Sequence, residues 1–346
     1  MRHIAECAGS AQSDVGAGRG AGRGGDDLAE VTELLVTGTT KNGGAIVFRK
    51  LTEFSFQSDR FSPADSLRFT ALDAIGAQRV TQVQVKLGGK VLFDGIVDVQ
   101  KRQADEQGKR VSFVCRSRTC LMLDNEVKPY LYVHLSAEEL VQKHAAPYGV
   151  TGFVFPYNAV LEQVLARKGI SHWEFVCFFC KRAFGKVPYL TADRRLALTP
   201  FGSKVHVFGT GGTAYAAATV CEDRYNMISK LYIKTSEDDW GANYGRVMEN
   251  KVAEAVGVVR ERYYHPSVEW ENDLWLSGAS IIREKQLDYF EIEVQVPRLL
   301  EVRVGELARF QDEMGVYDNL YVAQVKLDGG ADGFSTTVKL WDKQVV

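Results

Sequence analysis

The feature that most constrains this chain is a series of short runs, between residues 31 and 125, in which apolar and polar residues alternate. Alternation with a period of two places the apolar side chains on one face of a strand. Gly, Asp or Pro stands in the breaks, and Gly88-Gly89 suits a tight hairpin turn. Seven short strands at this spacing indicate a compact antiparallel barrel or sandwich. The runs are ELLVTGT, GAIVFRK, EFSFQSD, SLRFTAL, TQVQVKL, KVLFDGIVDVQK and RVSFVCRS.

Alternating runs return after residue 200, and the last of them resembles an earlier stretch in outline. Strands are predicted in KVHVFG, MISKLYIKTS, ERYYHPS, YFEIEVQVP, LEVRVGE and LYVAQVKLDGGADGFSTTVKLW. The last stretch and GKVLFDGIVDVQKRQADEQGKRVSFVCRS share the same order of landmarks. These are Gly89, Asp94, Gly108 and Ser112 in the first copy and Gly315, Asp318, Gly333 and Ser335 in the second. Any two hairpins share some of this, so the sequence leaves an internal repeat open.

The middle of the chain has the pattern of a small α+β domain. HLSAEELVQKHAAPYG predicts a helix that begins after Ser136, with Glu139 in the capping-box position. ISHWEFVCFFCKRAFG repeats this arrangement with Ser171 and Glu174, and Gly185 ends the helix. Strand-like segments, VPYLTAD and RLALTPF, follow it.

Three further segments are interpreted from their local patterns. NKVAEAVGVVRERYYHPS is predicted to begin as a helix near Lys251 and to become a strand after Gly257. PSVEWENDLWLSGAS has the pattern of a long connection with two tryptophans. GTGGTAYAAATV superficially resembles a phosphate loop, but it lacks the Gly-Lys-Ser/Thr ending, so a flexible loop is favoured.

Charge and composition argue against several classes of protein. The net charge of −2 provides no field that would gather nucleic acid. No apolar run approaches the roughly 18 residues that span a bilayer, so no membrane insertion is expected. The N-terminus lacks a secretory pattern, which predicts synthesis in the cytoplasm. Residues 1–30, rich in Gly and Arg, are expected to form a flexible arm because few apolar residues offset the ordering entropy.

No motif predicts a catalytic, cofactor-binding or metal site. Cys177 and Cys180 form a C-x-x-C, but a structural zinc would need a second such pair, and the phenylalanines between them indicate a buried helix face. The six histidines show no H-E-x-x-H spacing, and there is no G-x-S-x-G elbow. We therefore expect neither enzyme activity nor a cofactor.

Four passages that cover most of the chain after residue 30 share their arrangement with a known family. They comprise a strand–break–strand, a hairpin with an acidic exit, a Ser-x-Trp helix followed by a Pro-Tyr turn, and a closing hairpin. The passages are FSFQSDRFSPADSLRFTAL, KVLFDGIVDVQKRQADEQGKRVSFVCRSRTCLMLDNEV, LARKGISHWEFVCFFCKRAFGKVPYLTADRRLAL and DNLYVAQVKLDGGADGFSTTVKLW. Together they resemble the baseplate hub proteins of contractile-tail phages and R-type bacteriocins.

This resemblance implies a mainly β fold with a smaller α+β part, in which two tube-like antiparallel β-barrel domains flank a small α+β domain. The implied divisions are a flexible Gly/Arg-rich arm, a first barrel, the α+β domain and a second barrel with insertions. They span residues 1–30, 31–128, 129–200 and 201–346. The arm itself is not a feature that the family supplies.

The resemblance also implies a structural role. Hub proteins assemble as homotrimers, and their six barrels form a pseudo-sixfold ring that joins the hexameric tail tube, or a tube-initiator protein, to the trimeric central spike. Other baseplate proteins would be further partners, and DNA would pass through the lumen without specific binding. The expected location is the tail baseplate of a phage virion or bacteriocin particle.

Two other kinds of function are weighed against the hub. A β-rich tail-associated cell-wall or carbohydrate-degrading enzyme would need paired acids, one with a raised pKa, and Asp193, Glu222 and Asp223 are nominal candidates. A receptor-binding module would use exposed aromatic residues, such as Trp240 and Trp275, to line a sugar site. The missing catalytic motif disfavours the enzyme.

Overall fold

The computed structural model describes residues 33–72, 76, 78–106, 108–200, 202, 204–235, 243–266, 274–331 and 333–343. The expected N-terminal arm and Trp240 lie outside these residues, as does the side chain of Trp275. The expectations for them therefore stay predictions. Within the described ranges, no helix combines the length and the apolar character needed to cross a membrane.

All seven runs predicted in the N-terminal part form strands. The fifth and sixth strands form a hairpin whose turn lies at Gly88 and Gly89, and the φ angles of these glycines are 55° and 79°. Leu87 faces Lys90 across this turn. Glycine adopts such positive φ angles without a steric penalty, which explains the dipeptide. The strands are β1 Leu34–Thr40, β2 Ala45–Phe48, β3 Leu51–Asp59, β4 Ser66–Leu72, β5 Val80–Leu87, β6 Lys90–Asp105 and β7 Gly108–Ser117.

The middle segment forms helices and two small sheets around its own apolar core. Both predicted N-caps are confirmed: Ser136 and Ser171 accept hydrogen bonds from the backbone N–H groups of Glu139 and Glu174. Gly185 ends the second helix in the left-handed conformation. The elements are a 3-10 turn Arg118–Cys120, α1 Leu121–Asp124, β8 Tyr130–Ser136, α2 Ala137–His144, a 3-10 turn Ala146–Tyr148, β9 Gly152–Val154, β10 Val160–Ala166, α3 His172–Phe184, β11 Tyr189–Leu190 and β12 Arg195–Ala197.

The C-terminal part returns to strands, with two helices and a small three-stranded sheet inserted among them. The predicted helix at Lys251 and the strand after Gly257 are both present. The elements are β13 Val205–Gly209, β14 Ala217–Glu222, β15 Lys230–Ile233, β16 Arg246–Glu249, α4 Lys251–Ala255, β17 Glu261–Tyr264, α5 Leu274–Glu284, β18 Phe290–Val296, β19 Leu307–Asp312, β20 Gly315–Gly330 and β21 Gly333–Asp342.

Three sequence interpretations in this part are wrong. LEVRVGE alternates as predicted, with Val302 and Val304 buried, but it pairs with no described strand because the chain turns at Gly305 (φ 89°), against the ring of Tyr189. The stretch read as a long connection contains α5 from residue 274 onward. The stretch read as a flexible loop ends in β14, whose alanines gave only a weak apolar pattern.

Most strands join one sheet of 13, so the fold is mainly β with a smaller α+β part. Its order is β14-β18-β21-β20-β3-β4-β7-β6-β5-β1-β2, and β13 and β19 extend it beside β20. The apolar core under this sheet is continuous, since Phe69 and Phe113 from one end and Phe310 and Leu340 from the other belong to the same cluster. The N- and C-terminal parts therefore bury their apolar faces together.

The two ends of the large sheet follow the same plan. We call strands β3 to β7 the first unit, and strand β14 together with β18 to β21 the second unit. The first unit has the neighbour order β3-β4-β7-β6-β5, and the second has β14-β18-β21-β20-β19. In each unit the five strands occur in the same chain order. An internal repeat is therefore present in the topology.

The register of the two units matches at a constant offset. Leu67 faces Cys115 in the first unit and Ile292 faces Leu340 in the second, so adding 225 to the first pair of numbers gives the second pair. The same offset relates the closing hairpins, each of which has a strand of 16 residues followed by one of 10. Both long strands carry a bulge at the equivalent place.

The sequence landmarks find this register only in part. Gly108 and Gly333 differ by 225 and occupy equivalent positions at the start of the last strand. The other three pairs of landmarks are one or two positions out of register. They are Gly89 with Gly315, Asp94 with Asp318, and Ser112 with Ser335.

A histidine pair is buried in the α+β domain. The Nδ1 atoms of His144 and His172 lie 3.2 Å apart, and His144, which is 3% exposed, packs against Tyr132 and Phe175. Nε2 of His144 is buried without a hydrogen-bond partner among the described groups. Burial above all, with the neighbouring His172 and Lys143, lowers the pKa of His144 to about 4.

We predict that this pair weakens the fold in mild acid. Below pH 6.5 the unfolded chain takes up a proton at His144 that the folded chain refuses until about pH 4, so stability falls as the pH falls through this window. The loss attributable to His144 is about 2 kcal/mol at pH 5. Urea unfolding of wild type and His144→Gln between pH 7 and pH 4.5 measures it: the variant should show the shallower pH dependence. His265→Gln, at an exposed histidine, is the control. Equal slopes for His144→Gln and wild type would contradict the prediction.

Candidate assembly interface

The two units are joined inside the chain by one backbone pairing. The C-terminal half of β20 pairs with β3, from Gln324 opposite Asp59 to Gly329 opposite Phe54. The N-terminal half of the same strand pairs with β19 instead. The bulge at Ala323 separates the two halves, so one edge of β20 pairs with β19 before the bulge and with β3 after it.

The equivalent half of β6 has no such neighbour within the described part of the chain. Subtracting 225 from 324–329 gives residues 99–104, which pair with β7 on one side and with no strand on the other. Before the bulge, β6 pairs with β5, as β20 pairs with β19. Val99, just after the bulge, is 51% exposed. A strand edge of this kind presents backbone groups that can pair with another chain.

A second edge lies at the other end of the sheet. β14 holds the place in the second unit that β3 holds in the first, since Val220 faces Ile292 as Phe56 faces Leu67. One edge of β14 pairs with β18, and no described strand lies on its other edge. Each chain thus contains one pairing between its two units, that of β3 with β20, which we call the inner join. The edges of β14 and β6 are equivalent to those of β3 and β20, and no described strand pairs with them.

The bulge on β6 is held by an ion-pair network. Nε and Nη2 of Arg116 donate to the carboxylate of Asp98 at 2.7 and 3.1 Å, and Nη1 and Nη2 donate to Asp124 at 3.0 and 2.9 Å. These hydrogen bonds raise the pKa of Arg116 and lower that of Asp124. Since Asp98 is the bulged residue, the network fixes the point at which β6 leaves β5 and its open edge begins.

A broad groove of about 860 Å³ runs along the outward face of the joined units. Hydroxyl and charged groups of both signs line it, and Thr70 is within hydrogen-bond distance of Glu53 (3.2 Å) and of Ser112 (3.0 Å). The groove therefore mixes polar and apolar groups and has no dominant sign of charge. Its charged lining residues are Glu53, Arg68, Lys101 and Asp328.

The nominal catalytic acids are engaged in local contacts. Burial raises the pKa of Asp193, but hydrogen bonds from Thr191 and Arg195 outweigh it and hold the pKa below its usual value. Glu222 pairs with Arg224, and Asp223 accepts the N–H of Tyr225 at 2.8 Å. Each of the three therefore contacts a residue within two positions of itself.

Two carboxyls that do have a raised pKa, Asp59 and Asp65, were missed in the sequence. Burial raises the pKa of Asp65 to about 6, in a cleft of about 290 Å³ between the first unit and the α+β domain. Arg303 lies near it, and Arg194 lies 3.9 Å from Asp94 at the same cleft. Carboxylates that face guanidinium groups are typical of structural ion pairs, and nothing in the sequence around Asp65 marks it as an acid.

The C-x-x-C pair lies on α3, as predicted, and has no sign of redox or metal chemistry. Burial raises the pKa of Cys177 to about 12 and also raises the pKa of Cys180 well above its usual value, so neither thiolate forms at neutral pH. Among the residues that the structure describes, no three His, Cys, Asp or Glu side chains are grouped to hold a metal ion.

Solved structures match the chain over most of its length. The tail protein from Neisseria meningitidis MC58 has a TM-score of 0.71 at 16% identity and covers 90% of this chain and 97% of its own. The 43 kDa tail protein of prophage MuSo2 from Shewanella oneidensis has a TM-score of 0.74 at 14% identity, with 90% and 99% covered. A component of the E. coli type VI secretion system, described as similar to T4 bacteriophage tail proteins, has a TM-score of 0.52 at 12% identity, with 84% and 73% covered.

The fold is that of phage tail proteins. The resemblance to baseplate hub proteins, drawn from four passages of the sequence, is thereby confirmed at the level of the fold. No protein-family model matches the chain, and no curated protein matches it in sequence. In this tail-protein fold, the two sheet edges are the feature that sequence reasoning missed, because pairing of backbone groups leaves no motif.

We predict that Arg116→Lys lowers the free energy of unfolding by about 1 kcal/mol, because a lysine keeps the charge but cannot bind two carboxylates in a forked geometry. Urea unfolding of the full chain measures the loss. Arg110→Lys, on the same strand, is the matched control, since Arg110 contacts the single carboxylate of Asp105 and should lose less. Equal losses in the two variants would show that the network does not fix the bulge.

Proposed function

We propose that the chain is a structural, non-catalytic baseplate hub subunit of a contractile particle, either a phage tail or an R-type bacteriocin. In this role it joins a hexameric tail tube to a trimeric spike in a homotrimeric ring. The observation that carries the proposal is the pair of unmatched edges on β14 and β6, which are the two halves of a join that each chain already makes once.

The ring follows from repeating that join between chains. If β14 of one copy pairs with β6 of the next, the contact reproduces the pairing of β3 with β20. Every unit then meets its neighbours in the same way, whether the join lies within a chain or between chains. Such a head-to-tail contact closes into a ring when the rotation permits. Three chains supply six units, which gives exact threefold and approximate sixfold symmetry, and this suits a hub between a hexameric tube and a trimeric spike.

The repeat also specifies the register between chains. Lys326 faces Gln57 in the inner join, and these positions correspond to Lys101 on β6 and Cys221 on β14. In the same register Gln103 would face Thr219. Edge pairing would cover Val99 and would leave neither the edge of β6 nor that of β14 open to unspecific aggregation.

The groove along the joined units suits the inner surface of such a ring. Its lining carries hydroxyl groups and charges of both signs, so it lacks the basic surface that would retain DNA phosphates. Cargo could then pass without specific binding. The tube, the spike and other baseplate proteins would contact the ends of the ring, and the tail baseplate would be its location.

We predict that Lys101→Cys forms a disulfide with Cys221 of the neighbouring copy. Mild oxidation of the full-length protein should give covalent dimers and trimers on a non-reducing gel, with no larger species. Native mass should correspond to about 115 kDa, three times the 38.5 kDa chain. Gln103→Cys is the matched control, because its predicted partner Thr219 is two positions from Cys221 and its yield should be low.

Two further arms make the register test decisive. Adding Cys221→Ser to Lys101→Cys should abolish the cross-link, and mixing that double variant with wild type should restore a dimer, since the two cysteines then lie on different chains. Covalent species larger than a trimer, or a ring by mass in which Gln103→Cys cross-links better than Lys101→Cys, would overturn the proposed join.

A further inference from the structure

A small pocket lies where the two units, the α+β domain and the inserted helices meet. Its walls are the turn after β3, the C-terminal end of α3, and α5. The cavity volume is about 10 Å³, so the pocket holds at most one small particle. The pocket lies apart from both sheet edges. The residues that line it and carry the argument are Arg60, Lys186, Ser280 and Arg283.

Arg60 is the central group of this pocket. It is 3% exposed, and its guanidinium carbon lies 5.3 Å from the ring centres of both Tyr189 and Tyr321. The rings interact with the guanidinium through cation–π contacts. Nε and Nη1 of Arg60 are nevertheless buried with no hydrogen-bond acceptor among the described groups. A guanidinium stays charged in a protein, so these two donors need an acceptor.

The surroundings add positive charge and a further donor. Oγ of Ser280 is also buried without a described hydrogen-bond partner. Burial lowers the pKa of Lys186, and the nearby Arg283 and Arg60 lower it further, which shows that the three cations are close. Arg283 donates to the carbonyl of Gly185 at the end of α3, which offsets part of its charge.

The nearby carboxylates are engaged elsewhere. Glu284, on the wall of the pocket, pairs with Lys181. Asp59 precedes Arg60 in the chain and attracts its charge, but its Oδ1 accepts the N–H of Phe61 at 2.7 Å. No described carboxylate is hydrogen-bonded to Nε or Nη1 of Arg60. Buried donors that are left without an acceptor cost free energy.

We propose that the pocket binds one small monovalent inorganic anion, with chloride as the physiological occupant. The anion accepts from Nε and Nη1 of Arg60 and from the hydroxyl of Ser280, and Lys186 and Arg283 add electrostatic attraction. Phosphate and sulfate are excluded by the size of the cavity. Because the walls come from β3, α3 and α5, the anion ties the first unit, the α+β domain and the insert to one another.

Thermal unfolding at one fixed ionic strength tests the proposal, with sodium chloride exchanged stepwise for sodium gluconate, whose anion is too large for the cavity. Wild type should unfold about 2 °C higher in chloride. Lys186→Met should lose at least half of this difference, and Ser280→Ala should reduce it. Lys168→Met, at an exposed surface lysine, should retain it in full. These variants leave Arg60 in place, so folding does not depend on removing the central cation.

Crystals grown with sodium bromide give the direct measurement. An anomalous peak between Arg60 and Ser280 in wild type supports the site, and its loss in Lys186→Met supports the role of that lysine. Equal unfolding temperatures in chloride and gluconate, or equal chloride effects in Lys186→Met and Lys168→Met, would overturn the proposal. A water without anomalous signal at this position in bromide crystals would overturn it as well.

Discussion

The pairing of backbone groups along strand edges is the constraint on which the rest of this structure depends. Each N–H and C=O in a sheet needs a partner, and a strand supplies partners on both sides only while both neighbours continue. β20 meets this need by changing neighbours at a bulge, from β19 to β3. β6 has the same length and the same bulge but lacks the second neighbour within the described chain. Two otherwise equivalent strands therefore differ in that one is covered on both edges and the other has an edge without a described neighbour.

The two bulges are fixed by different chemistry, and each ties the sheet to another part of the fold. At the first, Arg116 holds Asp98 and Asp124, so the open edge is tied to α1. At the second, the carbonyl of Ala323 accepts the N–H of Arg60 at 3.0 Å, which places that arginine beside the pocket under α5. The repeat therefore preserves strand geometry while the side chains around each bulge have diverged. One bulge is positioned by exposed ion pairs, and the other lies beside a buried cation.

Local structure could be predicted from the sequence, and long-range pairing could not. Alternation located the seven N-terminal strands, and the capping pattern located the helices that follow Ser136 and Ser171. These signals involve residues within about ten positions of each other. The join of β3 to β20 connects residues more than 260 positions apart, for instance Asp59 and Gln324, through backbone atoms that every residue carries. The repeat was visible only at Gly108 and Gly333, where a turn required glycine in both units.

The same physics explains how a fold can persist when little sequence does. A TM-score of 0.74 at 14% identity is possible because the pairing of strands asks only for alternating apolar residues, a few glycines at turns and a bulge at the correct position. An active site would instead demand particular side chains at fixed distances, and Asp193, Glu222 and Asp223 do not meet that demand here. A function carried by strand edges is recorded in topology and register. For such a chain, the informative quantity is which strand lacks a neighbour that its equivalent in the other unit has, and in the described part of this protein those strands are β6 and β14.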